Sequence, residues 1–217
     1  PGTLNSLVAI GITHMARADY QKALENLQKA LAIAEETNNQ GKRAFCLVTI
    51  GDVHLRSNNV LALENLQKAL EISEELSDKP TMIYALMKIG HYHQTRNDYQ
   101  KAMDLYQRAL KIAEDTRISI SIGNALYKIG TIFFETKDYA KALDYTLQSQ
   151  VIFNNLKSLI SERNICDQLS KIYSATHNYK KAFENHKRFK ELSDSINKEQ
   201  NVKKIVGLEY TYKFEKE

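Results

Sequence analysis

The chain has 217 residues, of which 43% are hydrophobic and 26% are charged, a balance typical of a folded soluble protein. Its formal net charge is only +4 and no block of five like charges occurs, so nothing in the charge pattern favours nucleic-acid binding. No apolar stretch approaches the roughly 18 residues of a membrane span, and no signal peptide is visible.

One pattern occurs five times along the chain, with a period close to 40 residues. Each copy contains a small residue and, twelve positions later (eleven in copy two), an alanine that opens a second apolar run. A fixed period of this length predicts a stack of repeats rather than one globular core. The pairs are Gly11 and Ala23, Gly51 and Ala62, Gly90 and Ala102, Gly130 and Ala142, and Ser170 and Ala182.

In each copy, apolar residues at helical spacing predict a helix A, a short polar turn and a helix B. A glycine inside helix A costs about 1 kcal/mol relative to alanine, so its recurrence predicts a close contact with the alanine of helix B. Asp19, Asp98, Asp138 and Asn178 are expected to cap helix B, as are Asn58 and Asn59 in copy two. The predicted A and B helices span 4–17 and 20–38, 41–56 and 59–77, 80–96 and 99–115, 119–136 and 139–156, and 159–176 and 179–197.

This pattern resembles the tetratricopeptide repeat over residues 3–197. The small residues and alanines of the five pairs match the family's small residue late in helix A and its first helix-B alanine. The family's tryptophan is missing, and its second alanine is Ser149 in copy four and Phe189 in copy five. The resemblance implies an all-α fold, a right-handed superhelical solenoid of about five helix-turn-helix repeats. We expect the repeats at 1–40, 41–79, 80–118, 119–158 and 159–197, followed by a C-terminal segment, 198–217.

Helix A lines the concave face of the superhelix in this family, so the resemblance implies a ligand groove along these helices. The groove positions are apolar near the N-terminus and polar, partly cationic, in the C-terminal half. Lys88 and Lys128, with Asn124 and Asn164, resemble in part the carboxylate clamp of chaperone-binding repeats, although the clamp's first-repeat residues are apolar here. The predicted groove residues are Phe45, Asp52, Tyr84, Met87, Lys88, His91, Asn124, Tyr127, Lys128, Thr131, Asn164, Gln168 and Lys171.

The sequence contains no motif for catalysis or metal binding. His14, His54 and His93 share one repeat position, where copies four and five have Phe133 and Tyr173, which indicates a role in helix packing. No His-x-x-x-His or Cys-x-x-Cys pair and no glycine-rich phosphate loop occurs. We therefore expect no metal, no cofactor and no enzymatic activity.

The residues after copy five break the repeat pattern. Between Val206 and Phe214 apolar residues alternate with polar ones, as in a strand, whereas Ile205, Leu208 and Tyr212 fit a helical heptad seam. The tail resembles the exit segment of bacterial sensor histidine kinases, in which repeats lead into a signalling helix, and this favours a helix. The alternative is a strand that pairs with a second chain.

Together these features predict a non-enzymatic module that binds a protein or peptide, as the sensory or interaction domain of a larger bacterial signalling protein. A ligand in the groove would change the curvature of the solenoid and move the tail. Two alternatives stay open: a Rap-like regulator that responds to a peptide, and a structural homodimer held by the tail or the apolar first repeat. The chain begins without Met, so we expect a segment of a longer protein, cytoplasmic or periplasmic.

Overall fold

The computed structural model describes residues 2–214, with side chains for residues 2–199 and 202. Within this range the fold is all-α, as predicted, with ten helices and no strand. Odd-numbered helices are the A helices of the five copies and even-numbered ones the B helices. They are α1 Gly2–Ala16, α2 Tyr20–Glu36, α3 Gln40–Arg56, α4 Ala62–Glu75, α5 Lys79–Gln94, α6 Tyr99–Asp115, α7 Ser119–Glu135, α8 Tyr139–Leu156, α9 Leu159–Ala175 and α10 Tyr179–Phe214.

Two helix bounds differ clearly from the predicted ones. Helix α4 begins at Ala62 rather than at 59, because the chain makes a further turn at Val60 and Leu61. The Asn59 side chain accepts a hydrogen bond from the Leu61 amide inside this turn, at 2.9 Å, and Leu61 stands at the start of α4 with no side-chain cap. The prediction that Asn58 and Asn59 cap this helix is therefore wrong.

The second difference is α10, which runs without a break from copy five into the tail and ends at Phe214. The predicted C-terminal helix is therefore confirmed, and the strand alternative is wrong for the tail up to that residue. The side chains of the predicted heptad seam, Ile205, Leu208 and Tyr212, lie outside the described residues. None of the helices in the described part of the chain is long and apolar enough to cross a membrane.

All nine junctions between consecutive helices are closed in the same way. Each contains one residue in the left-handed region, with φ between 49° and 64°, and none of these nine residues is glycine. In the first junction the Asp19 amide donates to the His14 carbonyl at 3.0 Å, and an equivalent bond across five residues occurs in the other eight. These bonds satisfy carbonyl groups that the end of a helix would otherwise leave free.

Three of the four predicted aspartate or asparagine caps are present. Asp19, Asp138 and Asn178 each accept a hydrogen bond from the backbone amide three residues later, at 3.4, 3.2 and 3.3 Å. Asp98 makes no such bond; its carboxylate lies 3.1 Å from Lys101 Nζ. The cap predicted at Asp98 is therefore absent, although its ion pair with Lys101 matches those of Asp19 with Lys22 and Asp138 with Lys141.

The small residue of helix A receives a side chain of helix B. A Cβ added at Gly90 would lie 2.6 Å from the fully buried ring of Tyr106, which stands four residues after the alanine of that copy. The alanine itself contributes its carbonyl oxygen, which lies 3.2–3.3 Å from the added Cβ in copies one, two and four. In copy five the Ser170 hydroxyl donates to the Ala182 carbonyl at 3.1 Å, so serine replaces a steric contact with a hydrogen bond.

The chain forms two compact units, residues 1–125 and 126–217. In the first unit, alanines of the B helices and apolar residues of the A helices form continuous hydrophobic clusters, for example around Leu27 and Ile50. In the second unit, a cluster around Phe153 and Leu169 has the same composition of A-helix and B-helix residues. The predicted division at residue 197 stays a prediction.

Candidate binding face of the A helices

The same repeat positions meet where two successive A helices lie side by side. In two successive copies, the residue directly after the small residue of the first copy contacts the A helix of the second copy. The contacted residues lie two or six positions before the small residue of the second copy. These offsets share one helix face because they are separated by four and three residues. The resulting A-face contacts join Asp52 to Lys88 and Tyr84 in the first unit, and Thr131 to Gln168 in the second.

Asp52 is the centre of an ionic cluster on α3 and α5, and its side chain is only 4% exposed. Lys88 Nζ lies 2.8 Å from Oδ2, and the Tyr84 hydroxyl donates to the same oxygen at 3.1 Å. Arg56, one turn after Asp52, donates from Nε to Oδ1 at 3.3 Å. A buried carboxylate is stable here because three donors replace the water that it has lost.

Aromatic contacts fix the positions of Lys88 and Tyr84. Lys88 Nζ lies 5.2 Å from the centroid of the Tyr84 ring, within the range of a cation–π interaction. The Phe45 ring lies near that of Tyr84, with the two centroids 6.5 Å apart and the rings tilted by 42°. Burial, and then the charge and hydrogen bond of Asp52, raise the pKa of Tyr84, so its hydroxyl stays a proton donor at neutral pH.

The charged side chains of this cluster that reach solvent are cationic. One carboxylate is opposed by two cations, and the carboxylate is buried while Arg56 is exposed and Lys88 half-buried. The guanidinium of Arg56 uses Nε for Asp52, which leaves its terminal nitrogens directed away from that bond. Asp52 therefore positions two cations that a ligand can reach, without offering its own charge.

A cleft of about 90 Å³ lies on the same two helices, near their C-terminal ends. Arg96 covers the ring of Tyr92, with Cζ 3.6 Å from the ring centroid, and donates to the Tyr92 carbonyl at 3.4 Å. Residues with amide, hydroxyl and guanidinium side chains therefore line the cleft, although Thr95 and Arg96 already donate to the Tyr92 carbonyl. Its lining residues are Leu55, Asn58, Asn59, His91, Tyr92, Thr95 and Arg96.

The A-face contact of the second unit is uncharged. The Thr131 hydroxyl lies 3.4 Å from Gln168 Oε1 and 2.9 Å from the Tyr127 carbonyl. Gln168 is buried, and its Nε2 has no hydrogen-bond partner. Burial, and then the charge of Asp167, raise the pKa of Tyr127. This region therefore presents neutral donors and acceptors where the first unit presents an ion pair.

Of the other predicted groove residues, Lys171 and Asn164 in the second unit make local contacts. Lys171 Nζ lies 2.6 Å from Asp167, one turn earlier on α9. The Asn164 side chain accepts from Arg163 at 2.9 Å. Asn124 is exposed, and Lys128 is half-buried. The structure thus places all four residues on A helices, α7 and α9.

Two features of the first unit were not visible in the sequence pattern, and a third was overlooked. Lys88 is paired with Asp52, so its ammonium is not an independent member of the predicted clamp. Met87 packs against the hydrophobic cluster around Leu86 and Ala109. Arg56 was missed as a site residue, although its spacing of four from Asp52 is the spacing of a helical ion pair.

The repeated histidines take part in the turns as well as in packing. His14 Nδ1 lies 3.5 Å from the carboxylate of Asp19, and His93 Nδ1 lies 3.3 Å from that of Asp98. His54 is buried with no partner for Nδ1, and this burial lowers its pKa. Among the described residues, no group of three His, Cys, Asp or Glu side chains could hold a metal ion.

Comparison with known families identifies the repeat. A family model of the tetratricopeptide repeat matches residues 2–61 and 58–115, and a second model of this repeat matches residues 124–149. The chain therefore belongs to the tetratricopeptide repeat family. No match was found among curated proteins.

Several solved structures share the fold at low sequence identity. The Rap conjugation gene regulator of the plasmid pLS20, in complex with a Phr peptide, has a TM-score of 0.76 and 17% identity over 88% of this chain and 53% of its own. Aspartyl phosphate phosphatase F from Bacillus subtilis has a TM-score of 0.74 and 17% identity over 88% and 50%. BtubC from P. vanneervenii has a TM-score of 0.74 and 16% identity over 89% and 80%. The chain spans about half the length of the first two.

Proposed function

We propose that this chain is a non-enzymatic scaffold that binds a peptide on the A-face contacts, as the peptide-responsive part of a bacterial regulatory protein. The observation that supports it most directly is the ionic cluster at Asp52. A buried carboxylate holds Lys88 and Arg56 at the surface of two packed helices, beside a cleft rich in hydrogen-bonding groups. Such preorganised donors lose little freedom when a ligand binds.

The chemistry of this face favours a peptide with an acidic group. The accessible charges are positive, and an arginine fork can receive a carboxylate through two parallel hydrogen bonds. The amides and hydroxyl of the neighbouring cleft can pair with backbone groups of an extended segment. Phe45 and the ring of Tyr84 add an apolar surface for one side chain.

The structural comparisons support this proposal at the level of fold. The plasmid regulator that resembles this chain was solved with a peptide, which shows that helical repeats of this shape accommodate one in that protein. One of the proteins of similar fold is a phosphatase, and our proposal assigns no such activity to this chain because it rests on the A-face contacts alone. The finer role, a sensory domain that precedes a kinase, rests on the resemblance of the tail alone.

The proposal is tested with pools of fluorescein-labelled pentapeptides, one rich in Asp and Glu and one neutral, measured by fluorescence polarisation. We expect the acidic pool to bind, and Lys88→Met and Arg56→Met to weaken it at least tenfold. Lys68→Met is the matched control, because Lys68 is also paired with a carboxylate but lies on helix α4. It should change affinity less than twofold.

Two results would overturn the proposal. One is that neither pool binds the folded wild-type chain. The other is that Lys68→Met weakens binding as much as Lys88→Met does, which would show an unspecific effect of lost charge. Circular dichroism melts of each variant confirm that the loss of affinity is not a loss of fold.

A further inference from the structure

Tyrosines and cations alternate along α5 and the turn that follows it. Tyr84, Lys88, Tyr92 and Arg96 follow one another at intervals of four residues, so each lies about one helical turn after the one before it. Arg96 lies just after the helix, where its amide donates to the His93 carbonyl at 3.0 Å. We call these four residues the tyrosine–cation ladder. The other four copies lack this alternation at the same repeat positions.

Each cation of the ladder lies over the tyrosine that precedes it by one turn. Lys88 Nζ is 5.2 Å from the centroid of the Tyr84 ring, and Arg96 Cζ is 3.6 Å from that of the Tyr92 ring. Arg96 also donates from Nη1 to the Tyr92 carbonyl at 3.4 Å. These contacts restrict two long side chains that would otherwise sample many rotamers, so both cations are held in place before a ligand arrives.

The two cations differ in how far their charge is already balanced. Lys88 pairs with the buried Asp52 at 2.8 Å. Arg96 is exposed, and no carboxylate among the described residues pairs with it. Asp98, two positions later, pairs with Lys101 at 3.1 Å instead. The charge of Arg96 is therefore the more available of the two to an anionic group.

The spacing of the two tyrosines determines the spacing of the two cations. Tyr84 and Tyr92 are eight residues apart on α5, which corresponds to about 12 Å along the helix axis and about 80° around it. An extended peptide advances about 3.3 Å per residue, so its residues i and i+4 are about 13 Å apart. Their side chains point to the same side of an extended backbone, and the flexible chain of a glutamate can follow the rotation around the helix.

We propose that the peptide bound on this face has two acidic side chains at positions i and i+4, one received by Lys88 with Arg56 and the other by Arg96. This inference rests on the proposed peptide function and adds to it a second anchoring cation and a defined spacing. Arg96 lines the cleft together with Leu55 and Tyr92, which offer carbon surface to the peptide residue beside that acidic group.

Capped, unlabelled pentapeptides that compete with the fluorescein-labelled acidic pool test the spacing. One has Glu at positions 1 and 5, and its isomer has Glu at positions 1 and 3, with Ala elsewhere in both. We expect the 1,5 peptide to bind at least tenfold more tightly, because only its two carboxylates reach both anchors. Arg96→Met should remove this preference and leave the affinity of the 1,3 peptide within twofold of the wild-type value.

Arg17→Met is the matched control, because Arg17 is exposed at the same repeat position of copy one but follows Thr13 by one turn instead of a tyrosine. It should change the affinity of either peptide less than twofold. Tyr92→Leu keeps Arg96 and removes the ring that holds it, so the preference for the 1,5 peptide should fall to about threefold. Circular dichroism melts confirm that each variant is folded.

A charge exchange gives a second readout and also the direction of the bound peptide. The Arg96→Glu chain is titrated with one peptide that has Glu first and Lys fifth, and with one that has the reverse order. One of the two should bind Arg96→Glu at least tenfold more tightly than it binds the wild type, since only one direction places the peptide lysine beside residue 96.

The outcomes separate this inference from the proposed function. If the acidic pool binds through Lys88 but the two isomers bind alike, or Arg96→Met behaves like Arg17→Met, the inference is overturned and the proposed function stands. A failure of both exchanged peptides to prefer Arg96→Glu also overturns it. If no acidic peptide binds the wild-type chain, the inference and the proposed function fail together.

Discussion

The A-face contact is ionic in the first unit and neutral in the second, although the same repeat positions form it. Asp52 meets Lys88 across 2.8 Å, and Thr131 meets Gln168 across 3.4 Å. The fold therefore determines which two positions meet, and the side chains at those positions determine what the face can bind. A family resemblance predicts the first of these properties and leaves the second open.

The ionic and the neutral contact also differ in how much stability is lost when one of their residues is replaced. A buried carboxylate depends on all its donors, because an uncompensated buried charge is strongly unfavourable. A neutral hydrogen bond contributes only about 0.5–1.5 kcal/mol. The first unit is thus expected to be more sensitive to a single substitution at this contact than the second.

The largest effect is expected from Asp52→Asn, which leaves Lys88 and Arg56 opposed by no charge. We expect a loss of about 3 kcal/mol in the free energy of unfolding, measured by urea titration, because the buried charged acceptor of three donors is replaced by a neutral amide. Asp167→Asn is the control in the second unit, since the Asp167–Lys171 pair is half-exposed and should contribute less than about 1 kcal/mol.

The double variant Asp52→Thr with Lys88→Gln gives the first unit the same uncharged pair of residues that the second unit has at Thr131 and Gln168. Its stability should return to within about 1 kcal/mol of the wild type, because no buried charge remains. Equal losses for Asp52→Asn and Asp167→Asn would show that the burial of Asp52 has no energetic consequence, and the distinction between the two units would fail.

A second prediction concerns the small residue that lets helices A and B of one copy approach. Gly90→Ala would place a methyl group 2.6 Å from the Tyr106 ring. We expect a loss of about 2 kcal/mol, because overpacking outweighs the gain in helix propensity. Gly41→Ala is the control, since its Cβ would meet only Asn39 Oδ1, at 3.9 Å.

Copy five provides a comparison for Gly90→Ala, because its residue at the equivalent position is Ser170 rather than glycine. Ser170→Ala should cost only its hydrogen bond to the Ala182 carbonyl, about 1 kcal/mol. A stable Gly90→Ala variant, measured by thermal unfolding, would mean that the Tyr106 ring can move and that the helix spacing is not set by the glycine.

The smallest effect is expected at His54, where the second unit has Phe133 and Tyr173 at the same repeat position. Burial lowers the pKa of His54 below its ordinary value near 6.5. As the pH falls below about 6.5, the unfolded chain therefore takes up a proton that the folded chain resists, and stability decreases. His54→Phe should remove this share of the pH dependence and add about 1 kcal/mol.

Urea titrations of wild type and His54→Phe at pH 7.5 and 5.5 give the measurement, with His186→Gln as an exposed control. The difference in stability between the two pH values should be smaller in His54→Phe than in the wild type. An unchanged difference would show that His54 is solvated and titrates normally in the folded state.

The repeat register was predictable because it depends on short-range geometry. The interval from Gly90 to Ala102 spans the end of helix A, the turn and the start of helix B. Both residues therefore lie at the contact between the two helices. The long α10 was also accessible, since no proline and only one glycine interrupts the chain between 198 and 214. The start of α4 was not, because Asn58 and Asn59 carry the same local signal for a cap and for a turn.

The chemistry of the A-face contacts was harder to predict for a physical reason. Asp52 and Lys88 lie 36 positions apart, and only the packing of α3 against α5 decides that their side chains meet. From the sequence, both residues were predicted to lie in the groove, but the pairing of Lys88 with Asp52 was not predicted. Burial also changes what an aspartate does. The buried Asp52 holds the side chains of Lys88 and Arg56 in place, whereas an exposed aspartate would offer its own negative charge to a ligand.

Helix α10 has a mechanical consequence. Its 36 residues correspond to about 54 Å at a rise of 1.5 Å per residue. The part from residue 198 to Phe214 is about 24 Å long and continues, with no hinge in the backbone, the part that packs against α9. A tilt of about 5° at its base would therefore move the far end by about 2 Å, so that α10 acts as a lever arm which amplifies a small change in copy five.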